Sequence, residues 1–435
     1  MHGLIVPFII QNSESITLED FSVDWHQAFY AQGEITDSST KHFDIMIESE
    51  AKPVIEDGYI HLKGENWNLP IINFLEFDPS TRGVAKFAVD NCGAVWSVKR
   101  RAEILSEKKI RIFADMKYSP KRGNIMVLRA PGRHTPGIFI DKSSELIINK
   151  VKLHHAGGMT FISQNSRNIR LSGCEVSASG KRIFSAAGDA THFVLCSGKI
   201  LIEDCLFESQ LDDALNVHGI YGRLQSKIGR DRVLLRLVHH MQRGVDICSK
   251  GDMIRFVSNK SLLPFATARV KNVICLNPEY MIISFDKLPD FNQGDVIENL
   301  DRTPELIVKN CVARKNHARA FLVSTPGKVL IKNNKLSSPC AAIKISGDAN
   351  SWYESGNVKN VVIKNNLFEE CNYNNDRAVI EADPEIAELV PGKYYHENIL
   401  IENNNFCNSK GKLIYARSVQ NLKYRRNMID SKLAE

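Results

Sequence analysis

No uninterrupted apolar run in this chain approaches the roughly 20 residues that a membrane-spanning helix needs, although 43% of its 435 residues are hydrophobic. Nor does charge of one sign dominate: 56 Lys and Arg stand against 50 Asp and Glu. The basic run Lys99, Arg100 and Arg101 is followed closely by acids, which describes a solvated face and gives no reason to expect a nucleic-acid partner. The ten cysteines include no CxxC pair and no histidine stands at zinc-ligand spacing, so no metal and no other cofactor is expected, and most of the thiols should be buried. The opening MHGLIVPFII is apolar but lacks the basic start and cleavage site of a signal peptide. It reads as a strand.

Helical periodicity is also scarce, and a repeat stands in its place. An aliphatic residue, a polar one and then Asn, Asp or Cys recur in ITLEDFSV, LIINKVKL, IRLSGCEV, ILIEDCLF, LIVKNCVA, VLIKNNKL, VVIKNNLF, ILIENNNF and LKYRRNMI. Anchored on Leu18, Ile148, Leu171, Ile202, Val308, Ile331, Ile363, Ile401 and Tyr424, three of the intervals are 23 residues. A unit of that length made of short aliphatic strands cannot bury its own apolar face and must stack on its neighbours. The alternation has period two and Asn recurs where it would weaken a helix, so the reading is all-β: a right-handed parallel β-helix. Cys174, Cys205, Cys311, Asn334, Asn366 and Asn404 follow six anchors at the same offset and should form an internal ladder.

Two gaps interrupt the period, between Leu18 and Ile148 and between Ile202 and Val308. Both hold short strands with Gly turns, as small antiparallel β-barrel or sandwich domains inserted into the helix would. The division expected is helix over 1–25, inserted domain over 26–134, helix over 135–221, second inserted domain over 222–301 and helix over 302–435. The inserts should wall a cleft.

The chemistry of that cleft is read from register. Asp213 lies eleven residues after Ile202 and Arg319 eleven after Val308, while Asp189 falls within one residue of the same offset once its longer coil is allowed for. Each is followed by Ala and a strand start, so the three should share a column, with adjacent members about 4.8 Å apart. Stacked carboxylates repel and one pKa rises unless a cation intervenes, which is the place of Arg319. Asp212 should point elsewhere because side chains alternate. An acid and a base flanking one bond are the equipment of a glycosidase; a turn or a calcium-binding pair is the bland alternative for Asp212-Asp213. His192, Asn216 and Lys344 share another offset facing the cleft, and His155, His218, Trp352 and Glu354 complete the expected sugar-binding set together with Arg319. Trp352 could equally be a buried coil-end residue.

At these residues the chain resembles glycoside hydrolase family 110, bacterial α-1,3-galactosidases. The resemblance is carried by HHAGGMTFISQ, GDATHFVLCSGKILIEDCLFESQLDDALNVHG, ARAFLVSTPGKVLIKNN and SGDANSWYESGNVKNVVIKNNLFEECN. It implies a β-helix with inserted barrels, metal-independent exo-hydrolysis with inversion, and removal of terminal α-1,3-galactose from blood-group B or linear α-galactosyl glycans. It also implies a catalytic trio of Asp189, Asp212 and Asp213, with Asp212 as general acid and the other two as the water-activating pair. The partners expected are a glycan with terminal α-galactose and, in a homodimer, a second copy. Members of the family begin with a secretion signal and further coils, so a periplasmic or extracellular place is implied, whereas this chain starts at a segment resembling the middle of the helix. Two rivals remain. A polygalacturonase would also carry Gly-His-Gly and Arg-Ile-Lys, of which only His218-Gly219 and the weak match AAIKIS are present. A non-catalytic glycan-binding β-helix would bind without turnover.

Overall fold

The computed structural model describes residues 1–433 except 49, 134, 375 and 431. Its frame follows from the doublets of the repeat. Asn310, Asn333, Asn365 and Asn403 have φ of 56, 57, 56 and 55°, in the left-handed region that Asn tolerates better than most residues. Each turns the chain out of one strand and into the next. The residue after each turn points inward and continues a ladder. The side-chain oxygen of Asn366 accepts from the backbone N–H and the amide of Asn334, and that of Asn404 accepts from the same two groups of Asn366, at 2.9–3.0 Å. Asn427 extends the row under Asn404. The buried Cys174, Cys205 and Cys311 stand above it as free thiols whose sulfurs meet backbone carbonyls.

Stacking these coils gives a parallel β-helix of three sheets. Nine strands of the first, beginning with Phe8–Gln11, Ile138–Asp141, Phe161–Gln164, Thr191–Val194 and Leu215–Ile220, pair in parallel, as do nine in the second sheet. The repeat anchors fall in one line of the second sheet: Leu18, Ile148, Leu171, Ile202, Val308, Ile331, Ile363, Ile401 and Tyr424 are successive partners. The members from Ile148 to Ile401 are at most 2% exposed, and each aliphatic side chain buried in this way contributes about 1.5–3 kcal/mol.

Two antiparallel units interrupt the helix. The first, from Tyr30–Ser38 to Ile125–Arg129, is a nine-stranded sheet that enters just before the first-sheet strand Ile138–Asp141. Its Phe43, Phe74 and Ile112 belong to the same continuous core as the coils. The second leaves the end of Leu215–Ile220 and is a closed barrel of six strands, from Gly222–Ile228 to Val296–Asn299. It packs its own core against Val194, Leu195 and Ile220 of the first sheet. The starts of the central first-sheet strands therefore face one insertion and their ends face the other. No helix among the described residues is long and apolar enough to cross a membrane.

Candidate active site

Thr191, Leu215 and Phe321 are successive partners in the first sheet, so the residues two places before them, Asp189, Asp213 and Arg319, stand one above another. The ladder continues through them, because Ala190 N–H donates to Asp213 C=O and Ala214 N–H to Arg319 C=O. Side chains reinforce it. Asp213 N–H donates to Asp189 Oδ1 at 3.3 Å, Arg319 N–H to Asp213 Oδ1 at 2.8 Å, and Arg319 Nη2 to Asp213 Oδ2 at 2.9 Å. Asp212 lies in the bend that precedes the strand Leu215–Ile220, less buried than its two neighbours in the trio, and forms an ion pair with Arg133. One oxygen from each of Asp189, Asp212 and Asp213 lies within 4.8 Å of the other two.

Three like groups this close cannot ionise alike. Burial, and next to it the Asp212 charge, pushes Asp189 up to about 8 against the pull of Arg133 and Arg319. Burial likewise raises Asp213 well above the usual carboxylate range; Arg319 opposes this, and the charges of Asp212 and Asp189 add to it. Burial also acts on Asp212, but Arg133 and then Arg319 more than offset it and hold that carboxyl below its ordinary value. Asp212 is thus the member most favoured to ionise, and the stacked pair the one most favoured to keep a proton. A carboxylate trio of this kind could gather around a cation, but two guanidiniums already stand against it.

Further along the same strands, His192, Asn216, Leu322 and Lys344 are successive partners, which places the three polar residues on one outward face. His192 Nδ1 lies 2.6 Å from Asp189 Oδ2, His192 Nε2 lies 3.1 Å from His218 Nε2, and His218 Nδ1 donates to Gly219 C=O at 2.7 Å. Burial lowers both imidazoles, His192 to about 4. Glu354 reaches Asn216 Nδ2 at 3.4 Å and stands 3.6 Å from His218 Nε2. It arrives on the short strand Glu354–Ser355, which pairs antiparallel with Gly219 and Ile220. Lys344 is 3.8 Å from Glu381. Asn216 Oδ1 and Arg319 Nε are buried with no hydrogen-bond partner.

These groups surround one cavity of about 560 Å³, lined by Asp189, Asp212, Asp213, His192, Asn216, His218, Arg319, Lys344, Trp352 and Glu354. Trp352 is half exposed at its edge with its ring 4.8 Å from that of His239, not buried at a coil end. His155, expected in the sugar-binding set, lies outside this cavity. It is fully buried between the aromatic rings of Trp25, Phe29, Tyr30 and Phe184, and it accepts from Phe29 N–H at 3.1 Å. It faces the seam between the helix and the first insertion because the strand Lys152–Leu153 that precedes it belongs to the third sheet, away from the cleft. The reading of sequence missed Arg133, which lies in the non-repeating link between the first insertion and the helix, and His239, Met241, Gln242 and Arg243, which the barrel contributes to the far wall. Arg133 carries no periodic signal; the doublet His239-His240 beside a turn was the only hint from the barrel.

Comparison with known proteins follows the same lines. Residues 31–126 match the model for GLAA-B beta-barrel domain I and residues 232–297 that for GLAA-B beta-barrel domain II. The chain is 37% identical to the alpha-1,3-galactosidase B of Bacteroides thetaiotaomicron, over 99% of this chain and 71% of that protein. It is 31% identical to the alpha-1,3-galactosidase A of Shewanella woodyi, over 98% of this chain and 71% of the relative. With the alpha-1,3-galactosidase B of Akkermansia muciniphila the identity is 30%, over 98% of this chain and 55% of the relative. Among solved structures, the A-module of a mannuronan C-5 epimerase from Azotobacter vinelandii aligns at a TM-score of 0.34 and 9% identity, over 70% of this chain and 65% of the other. An exopolygalacturonase from Thermotoga maritima aligns at 0.30 and 13%, over 68% and 55%.

Proposed function

The chain belongs to the α-1,3-galactosidase family, and from that premise we propose that it is an exo-acting glycoside hydrolase that removes terminal α-1,3-linked galactose with inversion at the anomeric carbon. The observation that carries the reading is the meeting of Asp189, Asp212 and Asp213 against two guanidiniums in one cavity. Asp189 and Asp213, stacked one coil apart, form the seat for the attacking water, and Asp213 takes its proton. Asp212, the least buried of the trio, meets the leaving glycosidic oxygen. Since Arg133 and Arg319 hold Asp212 below its ordinary range, Asp212 acts as acid only after receiving a proton from the stacked pair. Asn216 Oδ1 and Arg319 Nε, buried and unpartnered, offer themselves to sugar hydroxyls, and Trp352 gives a flat face at the entrance.

One observation favours a second reading, a retaining enzyme. Oxygens within 4.8 Å are nearer the ~5–5.5 Å of a nucleophile and acid than the ~6.5–9.5 Å usual for inversion, and Asp212 is the member most favoured to ionise and accessible enough to attack. Inversion is preferred because the family resemblance implies it; the number of carboxylates favours neither reading, since each mechanism uses a pair. A polygalacturonase is disfavoured by charge. Arg133, Arg319 and Lys344 each face a carboxylate of the protein, namely Asp212, Asp213 and Glu381, which leaves little net positive charge for an acidic polymer.

The substrate is a blood-group B or linear α-galactosyl glycan, met outside the cytoplasm by an exported protein that is monomeric or a homodimer. The division at residues 26, 135, 222 and 302 is retained as that of the working enzyme. Incubation with α-1,3-galactobiose and, separately, with polygalacturonate tests the function: free galactose from the first only is expected. Binding of galactobiose with no galactose released would leave a glycan-binding protein instead.

A further inference from the structure

Three hydrogen bonds run in line from the wall of the cavity to the trio: Gly219 C=O to His218 Nδ1, His218 Nε2 to His192 Nε2, and His192 Nδ1 to Asp189 Oδ2. Each needs one proton. The carbonyl of Gly219 can only accept, so His218 carries a proton on Nδ1, and as a neutral ring it offers a lone pair at Nε2. His192 must then donate from its own Nε2, which leaves the lone pair of its Nδ1 facing Asp189. Two neutral imidazoles supply two protons for three bonds, and the third has to come from the carboxyl.

We propose that His192 and His218 form a polarised chain, fixed in direction by the Gly219 carbonyl, that keeps Asp189 protonated in the resting site and makes it the proton store for the reaction. This deepens the proposed hydrolysis and rests on it for its catalytic consequence. Asp189 suits the part. Its side chain is only 3% exposed, and both its oxygens are engaged, Oδ1 by the Asp213 N–H and Oδ2 by His192. The charged and titratable groups that face the chain come from several elements. Arg133 and Arg319 oppose Asp212 and Asp213 at the Asp189 end, and Glu354 stands against His218. With Asp189 neutral, two guanidiniums meet three carboxylates, and its ionisation would make four; burial raises Asp213 as well, but its ion pair with Arg319 opposes that rise. Burial and the Asp212 charge, which raise Asp189, and burial, which lowers His192, act in the same direction.

The cycle balances. The Asp189 O–H bond breaks and its proton passes through a bridging water to Asp212. The glycosidic C–O bond then breaks with its electron pair on the leaving oxygen, which takes that proton, while a water oxygen bonds to the anomeric carbon and gives its proton to Asp213. Return of that proton from Asp213 to Asp189 restores the third hydrogen bond and resets the site. His192 and His218 are therefore positioning residues that act through Asp189.

The test is made on the full chain in two ways. Long-range ¹H–¹⁵N NMR of imidazole-labelled protein, with signals assigned through His192→Phe and His218→Gln, reads the ring protons without substrate. Neutral His192 protonated at Nε2, with His218 protonated at Nδ1, is expected at pH 7; His192 protonated at Nδ1, or as an imidazolium, overturns the proposal. In kinetics with α-1,3-galactobiose, His192→Phe should move the alkaline limb of kcat/KM down by at least one pH unit, about a tenfold loss on that side, with KM within about twofold. His218→Gln, whose side-chain oxygen can still accept from His192, should keep the limb in place. A raised KM with an unmoved limb in His192→Phe would mean that the histidines bind sugar and hold no proton. Absence of galactose release from the wild type would defeat the hydrolase reading alone, and the NMR result would still decide the proton.

Discussion

Asp212 and Asp213 are neighbours in the chain, yet Arg133 and Arg319 hold the first below the ordinary carboxylate range, while burial raises the second against the pull of its ion pair with Arg319. The difference comes from their partners: in the bend before the strand Leu215–Ile220, Asp212 meets the guanidinium of the link segment, while Asp213 is buried in the column against Arg319. Asp189 is the member that carries the proton in the proposed resting site. Being a group whose pKa is raised by its surroundings, it carries that proton below its folded value and loses it as pH rises through it. The kcat/KM profile should accordingly fall on the alkaline side near pH 8, measured with a soluble galactobiose; a flat profile to pH 10 would contradict the assignment. Replacing Asp213 with Asn should lower kcat by roughly 10²–10⁴-fold, the usual worth of a positioned base, with little change in KM. The column of Asp189, Asp213 and Arg319 was legible in the sequence because counting from the anchors gives register. His155 was misplaced because its neighbourhood, the aromatic seam with Trp25 and Phe29, is built by residues 126–130 positions away in the chain. No local pattern announces that contact.

At the scale of the strand and turn, the doublets ending in Asn334, Asn366 and Asn404 do two things with two residues. The first Asn adopts positive φ and bends the chain, and the second fills the buried ladder. The sequence displays the ladder as a spacing, but the left-handed turn beside it is visible only as the enrichment of Asn and Asp before the ladder position. Asn366 gives its amide to Ile331 C=O and to Asn404, and its oxygen receives two donors from Asn334. Substitution by Ala strands several of these groups away from water, at a cost of about 1–3 kcal/mol for each group left unpaired. Urea unfolding of Asn366→Ala should show a loss of roughly 2–5 kcal/mol. A loss under about 0.5 kcal/mol, the range of an exposed surface change, would mean that the ladder is dispensable.

The whole molecule is a parallel β-helix with its chemistry on one sheet and an antiparallel unit at either end of that sheet's central strands. Its two insertions were evident as interruptions of the period, since coils of 23 residues leave no room for segments of 130 and 106 between anchors. What they contribute to the cavity was not, because Arg133 lies in the exit from one and His239 to Arg243 lie in a connection of the other, where neither period nor alternation operates. The second insertion and the later coil that carries Trp352 form the far wall, joined by Gln242, which donates to Trp352 C=O at 2.8 Å. Trp352→Ala should raise KM for galactobiose about 3–10-fold, equivalent to the ~0.5–1.5 kcal/mol of an aromatic face, and leave the alkaline limb unmoved; a kcat loss with constant KM would place Trp352 in the chemistry instead. The most direct measurement of the central claim is ¹H NMR of galactose in the first moments of hydrolysis of α-1,3-galactobiose by the wild-type protein. The β-anomer appearing first, followed by mutarotation to α, is the result predicted for water attack from the Asp189–Asp213 side; the α-anomer appearing first would contradict inversion and make Asp212 a nucleophile.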